Sequence, residues 1–157
     1  MDDRHKIIID ELKKLLLGGT AHVSLHDALK NLNPDLRGLK PDNMPYSIWQ
    51  LVQHISVAQW DMIQFCKAAD YKSPKWPEEY WTPQSAPADD KIWNGAILQI
   101  ENDLDEFIEL LEHSDIYQEI PHGDGQTILR EALQIADHNA YHLGEIIAIR
   151  RFLGDWK

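Results

Sequence analysis

Two histidine pairs in this chain have a spacing that lets both rings meet one ion: His22 with His26, and His138 with His142. Residues four apart lie on one face of a helix, one turn from each other, so both imidazoles can converge on a shared cation. Eight histidines in 157 residues produce such a pair by chance often enough that the spacing alone is a weak motif. Context separates the two. His138 and His142 lie midway along a long apolar helical pattern, beside the small residues Ala140 and Gly144, which leave room for a neighbouring helix. His22 and His26 follow the Gly18-Gly19 pair in a weaker helical pattern, and Asp27 marks that flank as polar. The later pair is the expected ligand pair. His22 reads either as a half-buried histidine near a helix start or as a residue lining a cofactor site from one side.

His54 is the natural third ligand. It follows Leu51 by three residues and precedes Ala58 by four, on the edge of an apolar helical face. A lone histidine there is more often a core residue with a backbone partner, but a matching pair on another helix makes a compact three-nitrogen set. Three protein ligands leave positions open for water or substrate, as catalytic sites require and closed structural sites do not. Other arrangements fall away. The segment DHNAYH lacks the glutamate of the HExxH metalloprotease helix. The only Glu-x-x-His, Glu119 to His122, runs through Pro121, which a di-iron bundle helix would not tolerate.

Residues around this set can assist it. Asp61 shares the face of His54 but lies about 10 Å further along the axis, which suits a pocket wall or a water-mediated role and not ligation. Glu145, three residues after His142, is a candidate for orienting a ligand or handling a proton, and Gln134 precedes His138 by four. Cys66 is about 18 Å from His54 along the same helix, so it reads as a structural thiol.

These side chains need helices to hold them, and the chain supplies four long helical patterns and no convincing strand alternation. The first begins near Arg4 and meets Gly18-Gly19, with a continuation expected from Thr20 to Leu32 as the second half of a bent helix. Pro34, Pro41 and Pro45 break the next stretch. Ser47-Ile48-Trp49-Gln50 matches a capping box and opens a helix predicted to reach about Ala69. Residues 70–87 form a long irregular connection, able to cross the bundle from end to end, with Tyr71, Trp76, Tyr80 and Trp81 packing along its flank. A third helix over roughly Asp89 to Leu111 has a clear apolar stripe opposite the acidic face Glu101, Asp105, Glu109 and Glu112. The last runs from about Thr127 to Leu153. The reading is all-α: one domain over residues 1–157, a four-helix bundle with a bent first helix and one long crossover.

Bulk composition bounds what such a bundle can do. With 43% hydrophobic and 26% charged residues, the chain is an ordinary globular protein. A net charge of −11 argues against nucleic acid and against an anionic membrane surface, both of which are bound through lysine and arginine. The only dense basic spot is Arg150-Arg151. No apolar run approaches the ~20 residues needed to span a bilayer. The acidic N-terminal stretch lacks a cleavage site and reads as helix, not signal peptide. One cysteine excludes an internal disulfide and suits a reducing cytoplasm.

Taken together, the segment GG-x-AH (Gly18, Gly19, Ala21, His22), SIWQLVQHISVAQWD around His54, WPEEYW, and the closing block T-x-LREAL, ADHNAYHLGEI and RR-x-LG-x-W resemble the DinB-like family, which includes bacterial thiol-dependent S-transferases. The motifs run along nearly the whole chain, and the final block is the most specific. The resemblance implies a four-helix bundle whose second helix gives one histidine and whose fourth gives the H-x3-H pair, here His54, His138 and His142. It implies one divalent ion, zinc or nickel, a small-molecule substrate, and a homodimer. It also implies a metal-dependent enzyme, a thiol S-transferase acting on small electrophiles, in which a low-molecular-weight thiol would be the co-substrate and Glu145 or Asp61 would assist. The rival expectation is a non-catalytic bundle that binds a metal or a small ligand.

Overall fold

In the computed structural model, residues 3–157 are described, and they are helical with no strand among them. The helices are α1 (Asp3–Leu17), the short α2 (Leu25–Leu29), α3 (Ile48–Lys67), α4 (Asp90–His113) and α5 (Ile128–Phe152), with one 3-10 turn over Pro34–Leu36. Helix α3 packs against both α4 and α5, α1 covers α4 and α5, and α2 rests on α5.

Local chemistry accounts for the helix starts. Ser47 accepts from the Gln50 backbone N–H while the Gln50 side chain accepts from Ser47 N, the reciprocal capping box expected for α3. Asp89 caps α4 through Ile92 N, and Thr127 caps α5 through Arg130 N.

The interruption after α1 is more complete than a bend. Gly18 and Gly19 both take positive φ, 70° and 83°, the left-handed conformation that ends a helix and that glycine adopts without a Cβ clash. The chain stays non-helical through residue 24, and the expected continuation from Thr20 to Leu32 shrinks to Leu25–Leu29, capped by Ser24 through Asp27 N. Two glycines and Ser24, a better cap than a helix interior residue, outweigh the apolar periodicity there.

The core divides into two clusters along the bundle. One holds Leu12, Leu16, Ile63, Phe107, Leu111 and Ile135; the other holds Leu29, Leu51, Ile55, Trp93, Ile100 and Ile146. Leu104 packs against both. Arg150 is no part of a basic surface: it is 4% exposed, donates to the carbonyls of Ala28 and Lys30, and pairs with Asp155, tying α2 to the end of α5. No helix among the described residues is long and apolar enough to cross a membrane.

Candidate metal centre

Helix α3 brings His54 to face His138 and His142, which lie one turn apart on α5. The ring centroids of His54 are 4.9 Å from His138 and 4.7 Å from His142, and the latter two are 4.5 Å apart. Each ring offers one nitrogen, and the three nitrogens lie within 4.8 Å of one another. His54 Nε2 and His138 Nε2 are 3.1 Å apart. Bonds of about 2.0–2.1 Å to a tetrahedral ion place two ligand nitrogens roughly 3.3 Å apart, so this pair already stands at ligand spacing. The group could hold one divalent metal ion.

The partners of the other ring nitrogens assign the tautomers. His54 Nδ1 donates to the carbonyl of Tyr80 at 3.1 Å. His142 Nδ1 donates to Glu145 Oε2 at 2.7 Å. His138 Nδ1 faces Asn139 Oδ1 at 3.4 Å, and the orientation of that amide is set from behind: Asn139 Nδ2 donates to Gln59 Oε1 at 2.8 Å, and Gln59 Nε2 donates to the Ile100 carbonyl at 2.9 Å. A carbonyl at the far end forces every amide in this relay to present its oxygen toward the histidine. All three Nδ1 atoms are therefore donors, and all three Nε2 lone pairs turn inward. Two bare nitrogens at 3.1 Å repel each other unless a cation or a proton lies between them. The donor set fits a metal by this test, with an outer partner on every ring.

Burial favours the neutral form of His54 and His138, the form that ligates. His54, 2% exposed, has its pKa lowered to about 4, chiefly by desolvation and further by the neighbouring His138 and His142, against the opposing hydrogen bond to Tyr80. Desolvation, with His142 beside it, also lowers the pKa of His138. Trp81 stacks on His54 at 3.8 Å between centroids with planes 8° apart, and Tyr46 stacks on Trp81 in turn. The site is closed on that side. His138 also borders a cavity of about 300 Å3 together with Met62, Gln134, Asp137 and Tyr141.

The remaining candidates lie at different distances from this centre. Glu145 is in direct contact with His142. Asp61 touches no histidine; its two oxygens accept from the phenols of Tyr71 at 2.9 Å and Tyr80 at 2.5 Å. Burial, followed by the bond to this carboxylate, pushes both phenols above their usual range. Asp61 thus holds the crossover segment that carries the Tyr80 carbonyl and Trp81. His22 is exposed, with Nδ1 donating to the Val23 carbonyl, and it lines a second cavity whose walls include none of the three clustered histidines. Cys66 is half-buried, and desolvation pushes its thiol up to about 12, so it stays protonated.

Sequence reasoning did not single out Gln59, Asn139 or the Tyr80 carbonyl, and it read Trp81 only as packing along the bundle flank. Asn139 had a detectable signal, an amide directly following a candidate ligand in the middle of an apolar helix. Gln59, fully buried on α3, and a backbone carbonyl had none. Comparison with family models, with curated proteins and with solved structures gave no match to this chain.

Proposed function

We propose that this chain is a metal-dependent enzyme of the DinB-like kind, in which His54, His138 and His142 hold one zinc or nickel ion and a low-molecular-weight thiol is conjugated to a small electrophile. The observation that carries the metal is the convergence of three lone pairs, each fixed by a donor bond on the far side of its ring. An ion bound to three neutral imidazoles keeps its positive charge and supplies the electrostatic attraction that favours a thiolate or acidifies water.

The residues of the chain supply position and exclusion. Glu145 orients His142, and Asp61 acts two steps removed, by fixing the Tyr80 segment against His54. Trp81 and Tyr46 keep water from the His54 face. In this reading a small substrate approaches through the cavity that His138 borders. The sequence motifs given above support the thiol chemistry.

Elemental analysis of protein purified without a metal-affinity tag tests the centre: one equivalent of a divalent ion is expected in the wild type and a marked loss in His54→Ala. Conjugation of a thiol to an electrophile tests the activity. If turnover persisted unchanged in His138→Ala, the enzyme reading would fail. Melting in the presence of chelator separates the rival: a bracing ion shifts the transition strongly, whereas an ion in a pre-packed bundle shifts it modestly while its removal abolishes turnover.

A further inference from the structure

The unwinding of residues 18–24 has a consequence in the core. Where a continuous first helix would have covered α4 and α5, the structure has a cavity of about 400 Å3, within the range of small-ligand pockets. It lies at the seam of the two core clusters. Its floor is apolar, built from Leu16, Ile100, Leu104, Ala136, Ala140 and Leu143. Its exposed rim joins the polar His22, His26, Glu101 and Asp105 to Leu15 and Leu17.

The charged side chains at that rim are acceptors. Glu101 and Asp105 stand one turn apart on α4. Asp105 takes no hydrogen bond or ion pair from the described residues, and Glu101 has only His26, at 3.2 Å. His22 gives its Nδ1 proton to Val23, which leaves Nε2 as an acceptor. The Ser24 hydroxyl is taken by Asp27, and one proton of the Asn139 amide, which reaches the same wall, is taken by Gln59. No lysine or arginine lines the cavity. A carboxylate or phosphate head would face two carboxylates and no cationic lysine or arginine. An ammonium group has three donors and no acceptor, and the surroundings carry the opposite charge.

We propose that this cavity is a second binding site, separate from the three-histidine centre, for a small amphiphile that joins an apolar chain or ring to a primary amine. The alkyl body fills the gap left by the missing helical turns, and the ammonium group sits between Glu101, Asp105 and His22.

Titration calorimetry on the chelator-stripped full chain tests this with hexylamine, hexan-1-ol and hexanoate; stripping prevents the amine from ligating an ion at the histidines. Saturable binding of hexylamine is expected, with hexanoate the weakest of the three. Ala140→Leu, which extends a side chain into the cavity, should abolish binding. Asp105→Asn, an exposed change that leaves folding intact, should weaken hexylamine by about threefold, the effect of one exposed charge pair, and leave hexan-1-ol unchanged. No hexylamine binding at millimolar concentration, hexanoate binding as tight as the amine, or an amine affinity untouched by both substitutions would overturn the proposal. Because His138→Ala should bind hexylamine like the wild type, failure of the metal reading and failure of this one are separately visible.

Discussion

The carbonyl oxygen of Tyr80 lies 3.1 Å from Nδ1 of His54, so a loop residue twenty-six positions away determines which nitrogen of a buried histidine faces His138 and His142. The same residue is anchored at its other end, where its phenol donates to Asp61. A carboxylate one helical segment beyond the histidine therefore holds the loop that holds the ring.

This arrangement predicts that Asp61→Ala weakens metal binding without touching a ligand. Outer partners of ligating histidines are worth about 10–100-fold in affinity, and an indirect one should fall at the lower end, about tenfold. Tyr80→Phe, which keeps the carbonyl and loses the phenol bond, should lie between Asp61→Ala and the wild type. Competition with a chromophoric chelator measures both; an Asp61→Ala protein with unchanged affinity would separate the loop from the site.

Glu145 bonds directly to His142. Glu145→Ala should lower metal affinity by roughly 10–100-fold. Glu145→Gln should do less harm, since its amide oxygen can still accept from His142 Nδ1. Equal losses in the two variants would mean that the charge matters and the hydrogen bond does not.

The relay behind His138 makes Asn139 a stability determinant as well. In Asn139→Leu, the Gln59 oxygen is left buried without its donor, which costs about 1–3 kcal/mol, and His138 loses its orienting acceptor. Denaturant unfolding should show that destabilisation, and metal affinity should fall alongside it. A variant as stable as the wild type would show that the Gln59–Asn139 bond adds nothing net to stability.

Acid should destabilise the metal-free protein in a defined window. Burial lowers the His54 pKa from 6.5 in the unfolded chain to about 4 in the fold, and His138 moves in the same direction. Below pH 6.5 the unfolded state binds protons that the folded state refuses, so stability is full above that value and declines as pH falls toward about 4. For His54 alone the loss is on the order of 3 kcal/mol, at about 1.4 kcal/mol per pH unit. Urea midpoints of chelator-stripped protein between pH 7 and pH 4 report it. His54→Phe should flatten the slope; an unchanged slope would place the titration elsewhere.

Much of this protein was legible before folding because its signals are local. Helical periodicity, the Ser47–Gln50 capping box and the His138/His142 spacing each depend on residues within one or two turns, and each appears as read. His54 was legible only conditionally, as a ring on the right edge of its helix awaiting a partner. The opening pattern misled at one place: apolar periodicity from Thr20 to Leu32 carried less weight than two left-handed glycines and a serine cap.

Tertiary packing decided what the histidines face. No spacing rule links Gln59 to Asn139, or Tyr80 to His54, because those contacts join residues 80 and 26 positions apart through the docking of α3 against α5 and the path of the crossover. Amino-acid type along a helix determines which ring can be a ligand. Which lone pair that ring presents depends on a hydrogen-bond partner that only the folded chain brings within reach.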